Sequence, residues 1–231
     1  MNKRLYERLK TVTSAGASAA TVTRLSDGAQ TLFDGERWEG GLELAEGQRA
    51  AVRRMLVADK SGTLPETEDY FVRSYARPPR LIVVGAAHIS QFLAPMAALA
   101  GFEVVVIDPR RAFASADRFP GVTLIDAWPD EAFPRLNLDA TSAVVTLTHD
   151  PKIDDPALVA ALTSPVFYVG ALGSKRTHAK RIDRLKEAGL ADKVGRIHAP
   201  VGLDLGGRAP REIAVSILAQ VVQVRYRGES G

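Results

Sequence analysis

The sequence predicts an α/β fold: a Rossmann-like, doubly wound parallel sheet with a small N-terminal α+β domain in front of it. Three observations predict this. Five short, almost wholly apolar runs recur after residue 80, each bounded by turn residues, as expected of strands covered on both faces. Helix-length segments separate most of these runs, which is the pattern of right-handed βαβ crossovers. Before that point the pattern is different, and "ARPPR" (76–80) is a stiff break that divides residues 1–76 from residues 77–231.

The elements follow in order. Lys3 to Thr13 forms a short amphipathic helix. Asp27-Gly28 lies between two β-prone runs and predicts a hairpin. "EGQRAAVRRMLVADKSG" predicts a second helix that ends near Gly62. The parallel strands are "LIVVG" (81–85), "EVVVID" (103–108), "VTLID" (122–126), "AVVTLT" (143–148) and "VFYVG" (166–170). Helices are expected over 88–100, 155–162, 174–188 and 210–225, with a sixth strand-like piece between Arg196 and Pro210. The last helix carries an apolar stripe, Ile213, Ile217, Val221 and Val224, which suits core packing or the seam of a homodimer.

Composition narrows the function. Of 231 residues, 46% are hydrophobic and 25% charged, with a net charge of +3. That surplus is small and no aromatics interleave with it, so nucleic acid is not an expected partner. No apolar run is long enough for a membrane span, and no charged-then-apolar leader opens the chain, so a soluble, cytoplasmic protein is expected. The sequence contains no cysteine, which removes disulfides, thiolate metal sites and a cysteine nucleophile. Four histidines without paired spacing make no metal motif.

Ligands of doubly wound sheets sit beyond the carboxyl ends of the strands. "GAAHIS" (85–90) occupies the place of a G-x-G-x-x-G fingerprint, with Gly85 retained and Ala87 and Ser90 in place of the second and third glycines. Asp108 follows 23 residues after Gly85, where a ribose-binding acid is expected. The pair indicates a nucleotide-type site, or a βαβ unit of that shape that binds no dinucleotide. Arg110 and Arg111 could receive a phosphate monoester or serve as solvated turn residues. His149 and Asp150 follow the fourth strand. The doubly wound order sets that tip beside the first strand, so His149 is expected to face His88 across the crevice and bind an anion or metal, or cap local backbone.

The fifth strand runs into "YVGALGSKRTHAKR" (168–181). Gly170 and Gly173 allow positive φ and a close backbone approach, Ser174 suits an N-cap, and Lys175, Arg176 and Thr177 fill the first turn. Cations at this positive end of a helix cost roughly a few tenths of a kcal/mol. A bound anion reverses the sign, and phosphate is the expected occupant. Further on, Gly202, Gly206 and Gly207 surround Asp204 in a loop long enough to be a site.

"YVGALGSKRTHAKR" followed by "RIHAPVGLDLGGRAPREIAVSILA" resembles the XdhC/CoxI family of accessory proteins. "VVGAAHIS", "GFEVVVIDPRRAFASADRFPG" and "VVTLTHDPKIDD" resemble the same family's Rossmann-like domain, so the resemblance covers about residues 80–225. It implies a maturation factor rather than an enzyme. Such a protein binds the molybdenum cofactor, as molybdopterin or its dinucleotide, and takes part in its sulfuration with a cysteine desulfurase. It then passes the cofactor to an apo molybdenum hydroxylase such as xanthine dehydrogenase or carbon monoxide dehydrogenase. The resemblance makes the Gly170–Thr177 loop the anion end of that site, and His149, Asp150, His198 and Asp204 match further motif positions without fixed roles.

Three departures stand out. The family's cysteine-containing motif has no counterpart in residues 1–76, so no persulfide relay is expected on them. Ala209 replaces a threonine, losing a helix cap worth ~1 kcal/mol. Ala87 alters the first-strand turn. An NAD(P)-dependent oxidoreductase with Asp108 on the ribose is the alternative, weakened by that turn and by the lack of an obvious proton donor.

Overall fold

The computed structural model describes residues 3–65 and 67–227. The chain forms two compact units, Met1–Arg77 and Pro78–Gly231.

The first unit contains α1 (Lys3–Ser14), β1 (Ala19–Arg24), β2 (Gln30–Phe33), β3 (Trp38–Gly40), α2 (Glu46–Val57), β4 (Gly62–Leu64) and β5 (Thr67–Tyr75). The hairpin expected at Asp27-Gly28 joins β1 and β2. It belongs to a five-stranded antiparallel sheet in the order β3-β2-β1-β5-β4. Successive residues of β1 point to opposite faces, as strand geometry requires. Ala20 and Val22 pack with Val52 and Leu56 of α2, whereas Ala19 packs with Leu5, Leu9 and Val12 of α1.

The second unit contains β6 (Arg80–Val84), α3 (His88–Leu99), β7 (Glu103–Ile107), β8 (Thr123–Ile125), α4 (Pro129–Leu136), β9 (Ser142–Thr146), α5 (Pro151–Leu162), β10 (Tyr168–Ala171), α6 (Lys175–Glu187), β11 (Ile197–His198) and α7 (Pro210–Arg227). Its six strands are all parallel and lie in the order β11-β10-β9-β6-β7-β8. Numbered within the unit and read from β8, that is the doubly wound order 3-2-1-4-5-6. Leu81, Val83 and Val145 face α3 and α7, while Ile82, Val84 and Val144 face α4, α5 and α6. Both faces of the sheet are covered, which is why its strands lack polar alternation.

In the first unit α2 ends at Val57 rather than near Gly62, which lies in β4, and in the second unit the structure differs from the sequence expectation in three places. Helix α4 lies between β8 and β9, where no helix was expected; Pro129 at its start and Pro134 inside it obscure the helical pattern. Helix α5 begins at Pro151 rather than residue 155, because the Asp150 carboxylate accepts from the Lys152 N–H and caps it. The sixth strand is only Ile197–His198. The stripe on α7 is used inside the unit: Ile217 and Val221 are fully buried, and Ile213 and Val224 pack against the same cluster. The stripe thus serves core packing, one of its two expected roles. Among the described residues no helix is long and apolar enough to cross a membrane.

Candidate functional site

Strands β6 and β9 are parallel neighbours, yet the chain leaves them for opposite faces of the sheet, to α3 and α5. This is the topological switch point, where a crevice opens beyond the strand tips. Gly85 ends β6 with φ at +111°, and a Cβ there would lie 2.6 Å from Thr148 Cγ2. Only glycine fits that approach.

The first turn is closed upon itself. The Ala86 N–H donates to Asp108 Oδ2 at 2.8 Å, and the Ala87 N–H donates to Ser90 Oγ at 3.0 Å. The Ser90 hydroxyl in turn donates to the Gly85 carbonyl. The serine in the third-glycine position is therefore a clamp, and two amides that a pyrophosphate would seek are already engaged. Asp108 is fully buried and also accepts from the Arg110 N–H, Nε and Nη2. Burial opposes its charge, but the Arg110 guanidinium and the Ala86 and Arg110 amides outweigh it and hold the carboxyl below the usual range. Where a ribose acceptor was expected, the carboxylate anchors the turn. Arg111 is exposed and pairs with Asp126.

Beyond the tips of β9 and β10 lies a cleft of about 270 Å³, lined by residues 149–155 on one side and by α6 on the other. His149 stands at its edge, exposed, with φ at +63°. A non-glycine residue in this left-handed region costs about 1–2 kcal/mol and persists only where neighbours impose it. Here Thr148 imposes it: its hydroxyl donates to Asp154 Oδ1 at 2.6 Å and accepts from the Asp150 N–H at 3.1 Å. His88 is exposed at the start of α3 and does not line this cleft.

The opposite wall is built by helical spacing. Gly173, with φ at +142°, turns the chain into α6, and Ser174 Oγ accepts from the Thr177 N–H at 3.2 Å as the expected N-cap. Arg176, Lys180 and Arg184 then recur every four residues, so they share one helix face. Thr177 lines the cleft with them, whereas Lys175 does not. Arg184 is fixed by Asp155, with Nη2 on Oδ1 at 3.0 Å. Arg181 turns inward and is 2% exposed. Its Nη2 donates to the Leu172 carbonyl at 2.8 Å and lies 3.7 Å from Asp154 Oδ2. Arg181 Nε and Nη1 are buried without a hydrogen-bond partner, as is Asp154 Oδ2. Burial pushes the Asp154 carboxyl up, against the Thr148 hydroxyl and Arg181; burial likewise pushes Arg181 down.

The cleft is thus lined by four cations (Arg176, Lys180, Arg181, Arg184) and two carboxylates (Asp154, Asp155), a surplus of two positive charges. Together with the start of α6, this makes the cleft electropositive. Among the described residues no cluster of three or more histidine or acidic side chains could hold a metal ion.

The remaining expected residues lie elsewhere. Gly170 does not adopt positive φ; its missing side chain admits Val201 Cγ2 and Tyr168 Cε1, which a Cβ would meet at 2.6 and 2.7 Å. Tyr168 donates to Gln220 Oε1 at 2.6 Å, the same oxygen that accepts from the Gly202 N–H at 2.8 Å. His198 stacks on the Tyr168 ring at 4.7 Å between centroids, and burial lowers its pKa. Asp204 is exposed and accepts from the Gly206 N–H. Ala209 lacks a capping side chain, but Glu212 Oε2 accepts from the Arg208 and Ala209 amides.

Of the expected residues the cleft therefore gathers His149, Arg176 and Thr177. Sequence reasoning missed Asp154, Asp155, Lys180, Arg181 and Arg184. The available signals were the cations repeating through α6 and the acid pair one turn after Asp150.

Comparison with known proteins gives the following. The XdhC Rossmann domain family matches residues 81–221. The chain is 29% identical over 228 residues to a Bacillus subtilis (strain 168) protein named as a probable xanthine dehydrogenase subunit, covering 97% of this chain and 66% of that protein. It is 34% identical over 151 residues to the molybdenum cofactor insertion chaperone PaoD of Escherichia coli (strain K12), covering 65% of this chain and 41% of that one. A crystal structure described as a xanthine dehydrogenase from Bacillus halodurans matches with a TM-score of 0.72 at 25% identity, over 96% of this chain and 65% of that chain. The chain spans less than two thirds of the length of each of these proteins.

Proposed function

We propose, since the chain belongs to the XdhC family, that it is an accessory protein that binds the molybdenum cofactor and assists its insertion into a molybdenum hydroxylase. The relatives named for cofactor insertion and for xanthine dehydrogenase support this reading. One observation in this chain carries it: the cationic cleft at the carboxyl edge of the sheet, whose surplus of two positive charges matches a phosphate monoester near neutral pH.

On this reading the cofactor is cargo. Its metal and dithiolene supply chemistry to the client enzyme, while this chain's own residues hold and release it. Arg176 and Thr177 face the phosphate, and the imidazole of His149 stands at the rim. The charge count suits the single phosphate of molybdopterin and the pyrophosphate of a dinucleotide alike, since each carries about two negative charges. The partners are the apo hydroxylase and a cysteine desulfurase, which supplies the persulfide because this sequence has no cysteine. A second copy and a cytoplasmic setting belong to the same proposal. The engaged Ala86 and Ala87 amides weigh against an NAD(P)-dependent oxidoreductase.

The test is purification after expression in a molybdenum-replete host, with molybdenum assayed and pterin measured by fluorescence after oxidation. Wild type should carry both in proportion to protein, and Arg176→Ala should carry much less. Neither molybdenum nor pterin on wild type would refute the reading.

A further inference from the structure

We propose that the His149 imidazole donates to the phosphate group of a ligand in this cleft, and that Thr148, standing behind the cleft, is the positioning residue that holds His149 there.

The backbone of His149 is the first observation. Its φ of +63° suits glycine, yet the residue is a histidine whose exposed ring lines the cleft across from Arg176 and Thr177. Glycine would take that conformation without strain, so the strain is borne for a side chain at this place. Imidazole keeps an N–H in its neutral and its charged form, so it is a donor to an oxyanion in either.

Thr148 is held at both branches. Its hydroxyl accepts from the Asp150 N–H at 3.1 Å, closing a hydrogen-bonded ring across His149. The same hydroxyl donates to Asp154 Oδ1 at 2.6 Å, which fixes its direction. Its methyl packs so closely on Gly85 that a Cβ there would lie 2.6 Å from it. A β-branched side chain pinned in this way keeps a single χ1 rotamer. The anchor is firm, since Asp154 lies in α5 and is 1% exposed. Thr148 itself does not line the cleft. Gly85, at the tip of the neighbouring strand, is therefore glycine to seat the Thr148 methyl, which ties the first-strand turn to the wall that presents His149.

Only the ligand's identity rests on the function proposed above; the phosphate chemistry does not. The experiment is calorimetric titration of the full chain with inorganic phosphate, with circular dichroism to verify folding. It compares wild type, His149→Gly, Thr148→Val, Thr148→Ser and the double variant of His149→Gly with Thr148→Val. His149→Gly should weaken phosphate binding by on the order of ten-fold, the worth of one charge-assisted hydrogen bond, without loss of stability. Thr148→Val keeps the shape, loses the hydroxyl and should weaken binding by a similar factor, whereas Thr148→Ser keeps the hydroxyl and should restore most of it. In the His149→Gly background, Thr148→Val should change phosphate affinity by less than about two-fold, because nothing remains for it to position; a merely structural loss would add in full. Thr148→Ala repeats the cycle should the valine variant not fold. Unchanged affinity in His149→Gly, fully additive losses, or a wild type that takes no phosphate overturns the inference. A parallel arm with released molybdopterin separates this inference from the function. If molybdopterin binds wild type and His149→Gly equally, the inference is wrong and the accessory function stands. If phosphate affinity follows His149 and Thr148 but wild type takes no molybdopterin, the inference stands and the function is wrong.

Discussion

Replacing Arg181 with methionine should destabilise the Rossmann unit by about 4 kcal/mol at neutral pH, and the loss should shrink in acid. At 3.7 Å from Asp154 Oδ2, the guanidinium charge is worth roughly 4–5 kcal/mol at an effective dielectric near 20. Without it, a carboxylate that is 1% exposed keeps only the Thr148 donors on Oδ1. Protonation limits the damage: keeping that carboxyl neutral at pH 7, against an ordinary pKa near 3.9, costs about 4 kcal/mol.

The pH dependence has a definite sign. Burial raises the Asp154 pKa in the folded protein, and loss of Arg181 raises it further. A carboxyl that binds its proton more tightly when folded favours the fold below its unfolded pKa, and that contribution is lost as pH rises through the folded value. The variant should thus approach wild type near pH 4.5 and fall furthest behind above pH 7. Urea unfolding followed by Trp128 fluorescence in a Trp38→Phe background reads this unit alone, since Trp38 belongs to the other unit. Arg181→Met with Asp154→Asn should recover most of the loss. A pH-independent deficit, or a double variant as unstable as the summed singles, would refute the reasoning.

Other perturbations follow from local geometry. Gly170→Ala places a Cβ 2.6 Å from Val201 Cγ2, and should cost about 2 kcal/mol in thermal unfolding, partly recovered by adding Val201→Ala. His149→Gly relieves a φ of +63° and should leave stability unchanged or raise it by up to about 1 kcal/mol; a clear loss would mean that imidazole contacts, not backbone strain, dominate there. In the first unit, burial opposes the charge of Asp34, but the Arg37 amide, Arg8 and the Glu36 amide hold its carboxyl at about 2. Its stabilising contribution is complete above the ordinary pKa near 3.9 and is lost as pH falls towards 2, so Asp34→Asn should flatten acid unfolding between those values. Trp38 fluorescence in a Trp128→Phe background measures it.

The parallel sheet was legible because its strands are buried on both faces and read as unbroken apolar runs. The antiparallel sheet was mostly hidden. Its longest strand, "TEDYFVRSY", buries only Val72 fully, so neither alternation nor an apolar run announces it. Helix α4 escaped because its two prolines counted against it. The candidate cleft was legible in place more than in lining. Strand ends marked the crevice, and Ser174 was read as the cap it is. What sequence spacing could not convey is which side chains turn inward. Asp108 looked available and proved to be the anchor of its own turn, while Arg181, read as one more cation in a basic run, is buried against Asp154. Ser90, which looked like a lost glycine, holds the turn closed.

The most direct test of the account is competition at the cleft: binding of released molybdopterin to the full wild-type chain, measured with increasing inorganic phosphate. If the cofactor is held by its phosphate in this cleft, phosphate displaces it competitively, and Arg176→Ala weakens both ligands together. Molybdopterin that binds undiminished at saturating phosphate, or ignores Arg176→Ala, would contradict the account.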